Sequence, residues 1–175
     1  MSTPLVRDAV AADVSRLTEI YNYYIVNTPI TFDIEPFTVE QRMEWFSHYG
    51  LSGPYRLLVA EQDGLVLGSA WSSPYRPKRA YETTVETSVY CAPEATGQGL
   101  GRLLYGALFE ALAGEKQLHR AIGAITEPNE ASVALHERFG FQRIAVFTEV
   151  GRKFDRYWDV AFFEKELPGA GRGSG

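Results

Sequence analysis

The stretch Thr96-Gly97-Gln98-Gly99-Leu100-Gly101-Arg102 sets three alternate glycines against the start of a strongly apolar helical pattern. Glycine has no Cβ, so its main-chain amides can approach a ligand closely. A helix beginning at the same point adds unpaired N–H groups and the positive end of its dipole. Together these predict an anion site, most naturally for phosphate. The alternative is a strand-to-helix connection that binds nothing, in which three glycines lose conformational entropy for no structural gain. Two common phosphate loops are excluded by spacing. A Walker A loop ends in Gly-Lys-Ser/Thr, whereas Arg102 and Leu103 follow the last glycine here. A dinucleotide fingerprint reads G-x-G-x-x-G near the first strand, whereas this turn reads G-x-G-x-G late in the chain.

Two side chains are candidates for moving protons. Glu86 stands in the middle of a run of Thr, Val and Tyr. A carboxylate in such a strand is expensive to bury unless it is hydrogen-bonded or functional; otherwise it is an edge or solvent-face residue. His136 shares one helix face with Asn129, Ser132 and Val133, which precede it at spacings of i, i+3, i+4 and i+7. Its imidazole titrates near neutrality and suits proton transfer, but a packed or surface histidine has the same spacing. Arg76, Lys78 and Arg79 put three cations in four residues just before the Glu86 strand. They read either as a solvated charge run or as an anion clamp, for which Arg offers bidentate geometry.

Positioning these residues requires a layered fold. A short strand is predicted at Leu5–Ala9. A helix starts at Asp13 through Val14, Leu17, Ile20 and Tyr21. A second helix has Thr38 as its cap and Gly50 as its stop. Two apolar runs flank Asp63-Gly64, a dipeptide suited to a tight hairpin. A long strand covers Tyr81–Cys91. The helix from near Gly99 carries a stripe of Leu100, Leu103, Leu104, Ala107, Leu108, Ala111 and Leu112. A strand at 120–126, a helix from Asn129 to Phe139 stopped by Gly140, and strands near Phe141–Thr148 and Tyr157–Lys165 complete the pattern. Helices around a mixed sheet define an α/β (α+β) layered single domain over 1–167. The Gly/Ser-rich residues 168–175 read as a disordered or added tail.

The 175 residues suffice for one sizeable core, and 45% are apolar. A net charge of −5 argues against a nucleic-acid partner. The single cysteine, Cys91, rules out an internal disulfide and a cysteine-rich metal site, so no metal is expected, and it fits a reducing, cytoplasmic setting. No apolar run reaches membrane-spanning length, and the N-terminus has no signal-peptide hydrophobic region, so no membrane partner is expected.

The turn at 97–101, following a long strand that ends in Cys91-Ala92-Pro93, resembles the pyrophosphate-binding turn of GNAT acetyltransferases. Four segments in order narrow the likeness to the phosphinothricin and methionine sulfoximine N-acetyltransferase branch: VNTPITFDIEPFT, YRPKRAYETTVETSVYCAPEATGQGLG, NEASVALHERFGF and VGRKFDRYWDVAFFEKEL. The resemblance implies a mostly antiparallel, twisted mixed sheet and acetyl-CoA as co-substrate. It implies direct acetylation of a small amino acid such as phosphinothricin, methionine sulfoximine or methionine sulfone. It places coenzyme A on Gly97, Gln98, Gly99, Leu100 and Gly101, with Asn129 at the start of the next helix, whose face Ser132 shares. Many members have Gln or Arg where Thr96 stands here, and Arg102, just past the last glycine, is the residue expected to supply the positive charge instead.

Acetyl transfer needs an amine relieved of its proton, a stabilised carbonyl oxygen and a stabilised leaving thiolate. The resemblance casts Glu86 as general base, directly or through water, and His136 as a second acid or base. Amides at Val89, Tyr90 and Cys91 would serve the oxyanion, where the family's strand splays from its neighbour. A nucleophilic Cys91 is not favoured, because no Asn or Asp partner is placed for it. Arg76 and Lys78 match basic positions of the branch, and Phe32 and Tyr81 would wall the substrate pocket. A homodimer is expected, with Trp45, Trp71, Tyr75 and Trp158 available for its interface. Two other readings stay open: a different amine, such as a peptide N-terminus or a polyamine, and an acyl-CoA-binding sensor without catalysis.

Overall fold

The computed structural model describes residues 2–169. Pro168 and Gly169 form a turn, and the disorder expected for 170–175 lies outside the described residues. The strands are β1 (Leu5–Asp8), β2 (Leu57–Gln62), β3 (Leu65–Pro74), β4 (Thr84–Cys91), β5 (Arg120–Glu127), β6 (Gln142–Lys153) and β7 (Arg156–Glu166). The helices are α1 (Val14–Asn27), α2 (Val39–Phe46), α3 (Leu100–Ala113) and α4 (Glu130–Arg138).

One sheet contains all seven strands in the order β1-β2-β3-β4-β5-β7-β6. Every neighbouring pair is antiparallel except β4 and β5. That parallel ladder has three pairs only, Thr84↔Arg120, Val85↔Ala121 and Glu86↔Ile122. Beyond Glu86 the two strands part, and the sheet forks.

Local chemistry explains most of the boundaries. Asp63 and Gly64 both take positive φ, 51° and 80°, which gives the β2–β3 hairpin a turn matched to strand twist. Thr38 and Gln41 form a reciprocal capping box at the start of α2. The helix does not run on to Gly50. Ser47 caps it, donating its hydroxyl to the Glu44 carbonyl at 2.6 Å, and the following amides make tight i→i+3 bonds. The strand expected from Tyr81 starts at Thr84, because Arg79–Tyr81 closes into a 3-10 turn. Leu103 leaves the predicted stripe of α3 and is 40% exposed; Leu100, Leu104, Tyr105, Leu108 and Leu112 are buried instead. The stripe counted every apolar residue, whereas the sheet and α4 cover a narrower arc that includes Tyr105. The predicted β6 is also too short, because its outer half projects past the core and lacks an apolar alternation to mark it.

The helices divide between the two faces. Trp71 of β3 and Tyr90 of β4 stack at 5.4 Å and meet Tyr21 and Tyr24 of α1 and Trp45 of α2. Trp45 and Trp71 are therefore engaged within one chain. On the other face α3 covers β2 to β4, and Tyr105 packs between His136, Phe109, Phe139 and Phe141. Side chains alternate along a strand, so Glu86, Ser88 and Tyr90 face α1 and α2 while Val85 and Thr87 face α3. Leu104 is fully buried at the centre of the α3 face. Leu104→Ala is expected to lower stability by about 3 kcal/mol, measured by urea unfolding; a change below about 1 kcal/mol would show that this helix face is loosely packed.

Candidate active site

The glycine turn and the fork form one continuous depression. Gly97 and Gly99 have φ of 76° and 80°, where a side chain is strained. A Cβ on Gly101 would stand 3.2 Å from Leu135 Cδ2, so the third glycine lets α4 close against the head of α3. Gly99 caps α3 with no side-chain hydrogen bond. Among the described residues, the main-chain amides of 97–102 have no hydrogen-bond partner. This leaves a row of bare donors at a helix N-terminus, the chemistry that suits a diphosphate. Arg102 and Arg138 line the same cleft, and Glu94 beside the turn is paired with Arg16.

The cleft encloses about 690 Å³. Val89, Tyr90, Cys91, Gly97, Gly99, Leu100, Gly101, Arg102, Asn129 and Ser132 all line it. Gln98 does not; its side chain turns back to the Glu94 carbonyl at 3.3 Å. The Thr96 hydroxyl is likewise engaged locally, donating to the Pro93 carbonyl at 3.0 Å. Tyr23, Tyr24, Thr28 and Arg138 also line the cleft, and the sequence reading did not single them out. Arg138 was legible: Ala131, Ala134, Leu135 and Arg138 repeat at helical spacing and point one way. The α1 residues had no such signal, since their side of the cleft is set by tertiary packing.

Inward, the cleft narrows to a slot between the diverging β4 and β5, lined by Ile30, Val89, Tyr90, Thr126, Asn129 and His136 among others. The Ala92 amide donates to the Leu67 carbonyl at 2.7 Å, so alternation turns the amides of Val89 and Cys91 away from β3 and into the fork. The Cys91 carbonyl agrees, accepting from the Tyr24 hydroxyl at 2.6 Å rather than from β3. Burial pushes the Cys91 thiol up to about 11, so it is protonated and a poor nucleophile at neutral pH.

Glu86 sits at the last rung before the fork, half-buried, and its carboxylate has no hydrogen-bond partner among the described residues. Desolvation raises its pKa, and the nearby positive charge of Arg76 opposes that rise. Arg76 lies over the Tyr75 ring at 4.8 Å, and Tyr75 in turn meets Tyr81 edge-on at 5.7 Å. Lys78 is exposed at the head of the 3-10 turn, and Arg79 pairs with Glu82 at 3.8 Å. Of the three cations, only Arg76 bears on Glu86. Phe32 lies across the face, against Gly151.

His136 approaches the fork from the opposite face. It is buried, with Nδ1 2.8 Å from the Ser132 carbonyl and Nε2 3.1 Å from the Tyr105 hydroxyl. A carbonyl only accepts, so Nδ1 carries the proton and Nε2 is the acceptor. A Cβ on Gly123 would stand 2.6 Å from Nε2, so β5 has a glycine where the imidazole lies on it. Asn129 caps α4, its side-chain oxygen accepting from the Ser132 amide at 3.2 Å, which leaves its NH₂ for the cleft. Val133, on the margin of that helix face, opens onto a different cleft beneath β6 and β7.

The Acetyltransferase (GNAT) family matches residues 17–141. A phosphinothricin N-acetyltransferase of Streptomyces coelicolor is 56% identical, covering 93% of this chain and 95% of its own length. An L-methionine sulfoximine/L-methionine sulfone acetyltransferase of Pseudomonas paraeruginosa is 36% identical over 93% of this chain and 94% of its own. The crystal structure of a GNAT superfamily phosphinothricin acetyltransferase from Sinorhizobium meliloti in complex with AcCoA superposes with a TM-score of 0.89 at 34% identity, covering 95% of this chain and 89% of that one. The chain belongs to the GNAT acetyltransferase family.

Burial is the larger influence on His136 and depresses its pKa, while the bond to the Ser132 carbonyl opposes this. Below the ordinary imidazole value of about 6.5 the unfolded chain takes up a proton that the fold refuses, so the contribution of His136 to stability falls as pH drops. NMR titration is expected to find a neutral, Nδ1-protonated ring with a midpoint below the ordinary value; a midpoint above it would contradict the hydrogen-bond assignment.

Proposed function

We propose that this protein transfers the acetyl group of acetyl-CoA directly to the amine of a small amino acid, of the class of phosphinothricin, methionine sulfoximine or methionine sulfone. The observation that carries the reading is that the bare amides of 97–102 share one cleft with Val89 and Cys91, while an unpaired, half-buried Glu86 stands at the last rung before the strands part. Acetyl-CoA supplies the activated acyl group. The amides of 97–102 with Arg102 and Arg138 hold its diphosphate, and Asn129 and Ser132 line its course along α4. The amides of Val89 and Cys91 face the carbonyl oxygen as charge gathers on it.

Glu86 takes the proton of the amine, directly or through water, and its raised pKa matches it to that task. In the tautomer described, His136 carries its proton on Nδ1 and offers an acceptor at Nε2, toward Tyr105 and the slot, so it serves as a second base; coenzyme A leaves as the thiolate when the carbonyl re-forms and takes its proton from water. Arg76, beside Glu86, suits the anionic tail or carboxylate of an amino acid and disfavours a polycation. An acyl-CoA sensor would have no use for an unpaired buried carboxylate. The cytoplasm suits this reading, since Cys91 is a free thiol. A homodimer fits as well, with the exposed Ile144, Val146, Phe147 and Val150 of β6 as surface for a second copy; sedimentation at a monomer mass would dismiss it.

The test is thiol release from acetyl-CoA with a panel of amines. Release with phosphinothricin or methionine sulfone and none with polyamines is expected; release with no amine would leave the sensor reading. Glu86→Gln should lower kcat by about 100-fold or more, with the KM for acetyl-CoA little changed. Activity requires the ionised form of Glu86, so the wild-type profile should fall as pH drops through a pKa above the ordinary carboxylate range, and that limb should vanish in the variant. His136→Asn should likewise act on kcat more than on KM. Arg102→Ala should raise the KM for acetyl-CoA by about three- to tenfold, and an unchanged value would remove it from the site.

A further inference from the structure

The bend in β6 reaches back to the acceptor side of the site. Between Phe147↔Val160 and Gly151↔Trp158 the strand inserts Thr148, Glu149 and Val150 opposite Asp159 alone. Glu149 takes a positive φ of 52°, and its amide is held by Asp159 Oδ1 at 2.7 Å. Such a bulge redirects the strand that carries it. Beyond it, Gly151 and Lys153 lie on the loop joining α1 to α2. A Cβ on Gly151 would stand 2.1 Å from Phe32 Cε2 and 2.3 Å from Cζ. The φ of Gly151 is not in the left-handed region, so the demand for glycine is steric. Lys153 is 6% exposed and donates from Nζ to the Thr31 carbonyl at 2.8 Å. The Thr31 hydroxyl is 2.9 Å from the Tyr21 hydroxyl, which donates to Asp33 at 2.5 Å. Tyr21 packs edge-on against Tyr90 of β4 at 5.0 Å, and Ile30 of the same loop lines the slot.

We propose that Gly151 and Lys153 are positioning residues for the amine substrate: together they seat residues 30–33 against β4 and so set the width of the acceptor side of the fork. This rests on the acetyltransferase reading above. Gly151 does so by absence, leaving a recess that the Phe32 ring fills. Lys153 does so by fixing the Thr31 carbonyl from within a buried site. Ile30 of this loop also borders the coenzyme cleft, but Thr31 and Phe32, the residues that Lys153 and Gly151 touch, do not, so the larger effect falls on the amine substrate.

The test is a pair of KM values. Gly151→Ala should raise the KM for the amino-acid substrate by about tenfold, as overpacking pushes Phe32 from its recess, with the KM for acetyl-CoA unchanged. Adding Phe32→Ala to Gly151→Ala should give less than the sum of the two single effects, because the collision is gone. Lys153→Met, which keeps the length of the side chain and loses the donor, should raise the same KM severalfold and again spare acetyl-CoA. Equal changes in both KM values, no change in either, or additivity in the double variant would overturn the proposal, and Lys153→Met decides it if Gly151→Ala does not fold. Wild-type protein inactive toward every amino acid would instead defeat the functional reading.

Discussion

The parting of β4 and β5 after Glu86↔Ile122 is the constraint on which the rest of the molecule depends. A sheet normally satisfies its main-chain donors by continuing its ladders, and unpaired buried amides are costly. Here the ladder stops in the interior, and the amides of Val89 and Cys91 look into a slot instead of at a strand. The surroundings answer that deficit with polar groups rather than closure. Tyr24 takes the Cys91 carbonyl, and His136, anchored on Ser132, stands with Tyr105 on the far wall. The glycine turn repeats the arrangement at the head of α3, where donors are again left bare. Two sets of unmet main-chain donors on one line are what an extended ligand with an anionic end and a polar shaft requires.

Much of this was legible from residue types. The hairpin at Asp63-Gly64, the cap at Thr38 and the glycines at 97, 99 and 101 are local devices, and local chemistry fixes them. Glu86 was noticeable because a carboxylate in an apolar strand needs a reason. The fork itself was not readable, because a strand that loses its neighbour has the same pattern as one that keeps it. For the same reason sequence alone could not show that Glu86 and His136 lie on opposite faces of the sheet at the fork. Leu103 and Gly50 show the other limit: a stripe or a glycine is a signal whose extent is decided by what packs against it.

The polar interior is also distributed unevenly. The α3 side carries a neutral chain of Ser132, His136, Tyr105 and Thr87 along the wall of the slot. The α1 side carries charge: Asp33 with Tyr21, Lys153 beneath the loop, and Arg42 buried against Trp45 at 3.5 Å. Burial lowers the pKa of both Arg42 and Lys153. Cations kept in such places cost desolvation, and they are retained where they fix a geometry. Under the proposed function the acceptor binds on the charged side, and the neutral side holds an imidazole in one tautomer.

Three rungs also mean that the molecule is two half-sheets, β1 to β4 and β5 to β7, joined by a narrow seam and by the helices laid across it. A ligand bonded to the amides of Val89 and Cys91 would stand in for the missing neighbour strand, and by binding only the folded chain it would add to the cohesion of the two halves.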